Sequence, residues 1–429
     1  MQCPVSWGIR GHCTFLLQIV STLGIKFTDL IAILKMYSDL THHPVNWIDG
    51  MRINKSHFEQ TNDFVLDHLR DAVSHSLNAY NFGLLHSPDH QQLPSLKWSV
   101  QFSAQAFIEI KVETCKAICP DGTRIDITPA HQCHLKASFQ NLASSLNLNL
   151  SSDHYFYIVI QANPFERKPF GVIPAEEVPP RHPFSTSYYR VTIVPIQQYL
   201  PEQGYMAQLP IGKMGYVNGH LMQVPGYIPP CSTIGGSPVL SNALQEIKDI
   251  LNKIEQHCYK IVSKSYQTGT TQSVVAKNIS DYCKKYVELY NQHVLFYQWM
   301  ADSQAPLLFA EHLGRLWLTM RTQIELMPPR EKEEVIAYMA EWMNQSKGDI
   351  EQRMVFFKQA TYLHNDPGSL FVQMVDTMKY FEELFSRLSQ LEFIGKRRGQ
   401  SLLINEKGSE PEREVKRDNR FGNFSSLME

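Results

Sequence analysis

Cys115 and Cys119, followed by His131, Cys133 and His134, are the residues whose types best suit chemistry. Thiolate sulfur and imidazole nitrogen are zinc ligands, and their number here is adequate for a tetrahedral site. The spacing, Cys-x3-Cys and then His-x-Cys-His, matches no zinc ribbon or finger. Alternate strand positions put Cys115 and Cys119 on one sheet face, where cysteine packs as a small apolar residue, and that is the expectation. His42, His43 and the scattered histidines lack a carboxylate partner at an informative spacing. No G-x-S-x-G elbow, Walker loop or H-E-x-x-H helix occurs. Gly235-Gly236-Ser237 stands before a helix and could cradle an anion. Without a preceding strand in a βαβ unit, or a lysine, it reads as a turn. Asp126 and the pair Glu176 and Glu177 read as unpaired, solvated loop carboxylates. No catalytic group, metal or cofactor is expected, so function has to be sought in assembly.

The 429 residues allow two or three domains, and a 43% hydrophobic fraction with 19% charged residues is that of a globular chain with a sizeable core. A net charge of −2 gives no field that would gather nucleic acid or an anionic membrane. Eight cysteines spread over this length form no disulfide framework, and a reducing cytoplasm is the natural setting. Thr14 to Leu34 is an apolar run interrupted by Lys26 and Asp29. Central charges cost a membrane helix roughly 2.5–3.5 kcal/mol each, and no cleavage site of small residues follows. Residues 1–43 are therefore expected to be an N-terminal extension, with Met36 as the expected start. An amphipathic, membrane-associated segment is the other reading.

The elements follow from periodicity. Ser56 to Leu77 reads as a helix, with Ser56-x-x-Glu59 as a capping box and Phe58, Val65, Leu66, Leu69, Val73 and Leu77 as the face that covers a sheet. From Trp98 to Val224 the texture is of strands. Alternation marks Trp98–Phe102 and Phe107–Val112, a run apolar on both faces marks Tyr155–Ile160, and Tyr188–Ile196 follows. Pro120-Asp121-Gly122 is turn chemistry between two of them. Several such strands predict a β-sandwich. Pro225 to Pro238, rich in Pro, Gly and Ser, marks a boundary, after which helices continue to about Phe393.

Leu240, Leu244, Ile247, Leu251, Ile254, Cys258 and Ile261 recur alternately four and three residues apart. This is a heptad seam, and leucine at a with isoleucine at d leans towards three or four strands. An intrachain bundle would produce the same stripe. Beyond Lys396 the composition is polar and of mixed charge, and disorder is expected there. Phe421 and Phe424 could form a docking peptide.

Trp47-Ile48-Asp49-Gly50-Met51, then Ser56-His57-Phe58, then Pro120-Asp121-Gly122-Thr123 resemble, in this order, the opening of the TssK (ImpJ/VasE) family. These are trimeric baseplate adaptors of bacterial type VI secretion systems. Tyr227-Ile228-Pro229-Pro230-Cys231 is similar to the family's boundary before its helices, and the heptad seam falls where the family has its bundle. The resemblance covers roughly residues 44–395. It implies an α+β protein: a β-sandwich with an N-terminal helix over 44–230, like the shoulder of phage receptor-binding proteins, and a helical neck over 231–395. A polar tail, 396–429, follows. The resemblance implies a homotrimer joined along the Leu240–Ile261 seam, docking on wedge proteins of the TssF and TssG type. Trp47, Gly50, Met51, His57 and Phe58, which carry the motif, are on this resemblance the expected docking residues. It also implies a cytoplasmic place, peripheral to the inner membrane, and a link to a membrane-anchored complex, with no nucleic acid involved.

The chain departs from the pattern after Phe393, where the polar remainder is too short for the family's C-terminal head. Its anchor is then unassigned, or Lys396-Arg397-Arg398 and the tail contact a different one. The competing class is a phage-derived receptor-binding or adhesin-like protein, which shares the sandwich but presents a host-binding tip.

Overall fold

The computed structural model describes residues 40–103, 107–148, 152–203, 206–267 and 273–395. The expectations for the N-terminal extension before Leu40, and for the tail with Lys396-Arg397-Arg398, Phe421 and Phe424, lie outside the described residues. A helix α1 (Lys55–Ser74) precedes ten strands: β1 (Gly83–Leu84), β2 (Leu96–Phe102), β3 (Phe107–Ile118), β4 (Arg124–Ile127), β5 (Cys133–Ser138), β6 (His154–Phe170), β7 (Phe184–Pro195), β8 (Glu202–Gln203), β9 (Met206–Val217) and β10 (His220–Gln223). A short helix α2 (Phe139–Ser145) links β5 to β6. Among the described residues six further helices follow: α3 (Pro238–Gln267), α4 (Val274–Leu295), α5 (Pro306–Glu325), α6 (Pro329–Met343), α7 (Lys347–Gln359) and α8 (Gly368–Gln390).

The strands form two five-stranded antiparallel sheets. In the first, β3 is the hub on which β1, β2, β4 and β5 all pair. The second runs β10-β9-β6-β7, with β8 beside β9. Alternation sends Ile108, Ile110 and Val112 of β3 into the core with Phe156, Ile158 and Ile160 of β6. Trp98 of β2 lies over Gly212 of β9, where a Cβ would fall 2.4 Å from the indole. β6 is indeed buried on both faces, because Tyr157 on its far side packs on Tyr199 and Tyr227.

Proline sets two helix starts rather than only ending helices. Pro306 opens α5, and Pro329 is the first residue of α6. α3 packs on α4 and α8. All seven residues of the heptad stripe, Leu240, Leu244, Ile247, Leu251, Ile254, Cys258 and Ile261, are buried within one chain. Tyr286 of α4 donates to the Leu251 carbonyl at 3.0 Å, and Trp317 of α5 stacks on Phe381 of α8 at 4.2 Å. The expected intermolecular seam is therefore corrected to an intrachain one. α4 and α8 occupy the face that a second copy would need.

The boundary segment is built into the first sheet. Leu84 of β1 donates its N–H to Pro230 O at 2.8 Å and accepts from Ser232 N at 2.9 Å, forming a parallel bridge to Cys231. Nearby, His364, in the loop before α8, is buried with Nε2 at 2.9 Å from Phe82 O and Nδ1 at 2.8 Å from the Tyr362 hydroxyl. Burial outweighs the bond to Phe82 and brings the imidazole down to about 4.

Two outcomes follow. Ile247→Asp or Ile254→Asp places a charge in the protomer core and costs at least about 3 kcal/mol. Thermal unfolding should therefore show collapse of the bundle rather than a folded chain of lower mass. For His364, the folded value lies below the unfolded one of about 6.5, so the unfolded chain takes up the proton first. Stability from this group is complete above about pH 6.5 and falls by roughly 3 kcal/mol as pH drops to about 4. Chemical denaturation of His364→Gln across that window should show a flatter pH profile than the parent.

Candidate docking surface

The segment that leads into α1 is shaped by a turn and a helix cap. Gly50, at φ +76°, completes the turn closed by Met51 N to Ile48 O at 3.2 Å. Asn54 then caps α1. Its Oδ1 accepts from Ser56 N at 3.0 Å, while its own N–H donates to His57 Nδ1 at 3.3 Å. The reciprocal cap is thus Asn54 with His57 rather than Ser56 with Glu59, because Ser56 already lies inside the helix. The Trp47 indole meets the His57 ring edge-on at 5.8 Å. Gly50, Met51 and His57 set the shape of the segment, and Trp47 (50% exposed) and Phe58 (60%) stand out from it with Ile48 and Ile53.

α1 is held by charge. Arg70 Nη1 donates to Asp121 Oδ2 at 3.0 Å, and Nη2 to Asp67 Oδ1 at 3.0 Å, with all three side chains buried. Asp121 belongs to the turn between β3 and β4, where its oxygens also accept Thr123 N at 3.0 Å and Thr123 Oγ1 at 2.6 Å. Asp67 Oδ2 accepts Thr41 N at 2.8 Å and His42 N at 3.1 Å. Burial pushes the Asp67 carboxyl up, but these two N–H groups and Arg70 outweigh it and bring it down to about 2. His42 stacks on Phe165 at 4.1 Å and sits 3.3 Å from Asp67, so it does have a carboxylate partner, one that spacing did not reveal. Arg167 of β6 holds Asp63 at 2.7 Å and fastens α1 to the second sheet as well.

Gly122 is required by this arrangement. Its φ is +81°, and a Cβ there would fall 2.1 Å from the Arg70 carbonyl oxygen. The turn therefore lies directly against the helix. Because Asp67, Arg70 and Ser74 occupy the inward face, Phe58, Val65, Leu69 and Val73 are exposed. The expected orientation, with these apolar residues on the sheet, is reversed. Asn62, Val65, Leu66 and Leu69 form one wall of an open groove of about 320 Å³, and Pro164, Arg167, Ser185, Thr186 and Ser187 form the other.

The other candidates do not converge. Cys115, Cys119 and Cys133 are buried, and burial pushes the Cys133 thiol up to about 11 and Cys115 further. His131 Nε2 is committed to Thr186 at 3.1 Å, and His134 Nδ1 to Gln132 O at 2.7 Å. Among the described residues, no three His, Cys, Asp or Glu side chains are placed to hold a metal ion. Gly235 and Gly236 form a buried 3-10 turn, and a Cβ on Gly235 would meet the His86 ring at 2.1 Å. Asp126 lies on β4 rather than in a loop, and Glu177 pairs with Arg181.

One constellation had no sequence signal. His257 of α3 joins Ser389 Oγ (3.0 Å) to Glu382 Oε1 (3.2 Å), in the order of a hydrolytic relay. The Ser389 hydroxyl is buried and donates to Ser386 O at 2.8 Å, which leaves it holding helices together. A larger open groove of about 460 Å³ lies between α5 and α7, and Glu311 and Arg315 on its wall pair with each other.

No protein-family model matches the chain, and no curated protein matches its sequence. Among solved structures it is similar to a crystal structure of TssK, with 14% identity and a TM-score of 0.46 over 79% of this chain and 69% of that one. It is similar also to a chain of the baseplate complex from the type VI secretion system (16%, TM-score 0.45, 80% of this chain and 99% of that one). A third is a chain of the TssK-TssF-TssG baseplate subcomplex seen by cryo-electron microscopy (15%, TM-score 0.41, 82% and 100%).

Arg70→Met leaves two buried carboxylates without their cation and should cost about 3–5 kcal/mol. Gly122→Ala combines a strained backbone with a clash and should cost at least about 1–3 kcal/mol. Both are read by chemical denaturation. If Gly122→Ala melts like the parent, the turn is not pressed against α1.

Proposed function

We propose that this chain is a structural adaptor of the TssK type, acting mechanically rather than as an enzyme. On this reading it is a cytoplasmic homotrimer, peripheral to the inner membrane. Its sandwich docks on baseplate wedge proteins of the TssF and TssG type, and it links the baseplate to a membrane-anchored complex. One observation carries the reading. The two sequence motifs of the resemblance, Trp47–Phe58 and Pro120–Thr123, are joined through the buried Arg70 pair into one unit. Motifs that are distant in sequence and share one rigid element are what a presented docking surface requires, because preorganisation lowers the ordering cost of binding.

The chemistry of the surface fits that role. Trp47, Ile48, Ile53 and Phe58 are exposed, and aromatic side chains of this kind dominate binding energy where they enter a partner's pocket. Among the described residues, no helix is long and apolar enough to cross a membrane. The two-domain division at residues 230 and 231 follows from the same reading, with strands ending at Gln223 and helices starting at Pro238.

Co-expression with the wedge proteins of its own host tests the proposal. The parent chain should co-purify with them. Trp47→Ala should lower affinity about 30-fold, equivalent to roughly 2 kcal/mol for an aromatic anchor, with no change in melting. A parent chain that recovers no wedge protein would sink the adaptor reading. Full recovery by Trp47→Ala would move the docking site elsewhere.

A further inference from the structure

α4 and α5 meet around a pair of histidines. His293 stands in the last turn of α4 and His312 in the second turn of α5, and their Nδ1 atoms approach to 3.4 Å. That separation is long for a hydrogen bond between two ring nitrogens. It suits a shared metal ion, because Zn–N bonds of about 2.0–2.1 Å at a tetrahedral angle hold two nitrogens roughly 3.3–3.4 Å apart. Packing orients the rings. His312 lies flat on Phe296 at 3.8 Å and 12°, and His293 meets the His312 ring edge-on at 5.4 Å. Phe296 opens a π-helical turn, Phe296–Met300, and such turns are rare and frequent at functional sites.

We propose that His293 and His312 together bind a divalent transition-metal ion of the zinc and copper kind through their Nδ1 atoms, tying α4 to α5. This goes beyond the adaptor reading and does not depend on it. No third His, Cys, Asp or Glu among the described residues completes the set, so water fills the remaining positions. Both rings are half-buried, which leaves a solvent side for the ion and its waters. Ligation needs neutral imidazoles. Burial holds both rings below the ordinary histidine value, and for His293 the neighbouring His312 and Arg315 act in the same direction, against Glu311. Glu311 and Arg315, the charged groups beside the pair, bond to each other, so the guanidinium charge is offset next to the ion. Imidazole nitrogen selects zinc or copper over magnesium and calcium, which take oxygen. The two ligands lie on different helices, so no histidine spacing within one element marks the site in the sequence.

The test uses the full chain, prepared without a histidine tag, stripped with EDTA and titrated with zinc chloride. Calorimetry should show one zinc per chain, and thermal unfolding should move upwards with zinc and return on chelation. His293→Gln or His312→Gln should weaken zinc binding at least about tenfold and remove that shift. His182→Gln, at an exposed histidine elsewhere, should bind as the parent does. Copper(II) should bind more tightly than zinc, and magnesium should not compete. Cobalt(II) gives a readout independent of stability: the parent should show the visible absorption of a four-coordinate ion, and the double variant His293→Gln with His312→Gln should not. A parent that takes up no zinc overturns the site. Zinc binding that survives in the double variant places the ion on other histidines and overturns it equally. A six-coordinate cobalt spectrum in the parent rejects the tetrahedral geometry on which the proposal rests.

Discussion

A buried guanidinium between two buried carboxylates governs this structure. Removing three charges from water is expensive, and the cost is offset only when every lone pair finds a donor. Arg70, Asp67 and Asp121 come close to that condition by recruiting Thr123, Thr41 and His42, with Arg70 Nε alone left without a partner. A network so specific tolerates one geometry. It presses the β3–β4 turn against α1, draws the chain at Thr41 and His42 beside the helix, and fixes which face of α1 meets the sheets.

The apolar stripes of α3 and α1 show why pattern and fate are separate matters. The α3 stripe is longer and richer in isoleucine, and periodicity alone makes it the better candidate for joining copies. In the folded chain α4 and α8 cover it first, because they are tethered to it and need no association entropy to arrive. The α1 stripe of Phe58, Val65, Leu69 and Val73 is shorter, yet it remains outside. Its inward neighbours are charged, and they have partners on both sheets that no apolar residue could replace.

Much of the fold was legible in the sequence. The strands at Trp98–Phe102, Phe107–Val112, Tyr155–Ile160 and Tyr188–Ile196, the turn at Pro120–Thr123 and the helices α1 and α3 follow from local periodicity, proline and glycine, whereas β5 and the long β9 had no reading of their own. The alternation of Phe107–Val112 and the doubly apolar run at Tyr155–Ile160 have the burial their patterns imply. What local pattern could not carry was pairing across distance. His42 with Asp67 and Arg70 with Asp121 are contacts between residues far apart in the chain, as is the His257 relay across α3 and α8. The reversal of α1 has the same origin: a stripe states that one face is apolar, and only the buried charges opposite determine where that face points. The Trp47–Phe58 segment was legible as a motif, while its exposure is a property of the fold.

The short strand β1 also bears on how the molecule would carry load. Leu84 is bonded to β3 on one side and to Pro230 and Ser232 on the other, and His364 adds a second tie to Phe82 just before it. The sandwich and the helices are therefore stitched through one strand shared by both. Tension along that strand must shear its bonds to Pro230 and Ser232 together, whereas a simple linker would merely straighten. Bonds loaded in shear give together rather than one by one, so a joint of this kind favours passing displacement between strands and helices over absorbing it.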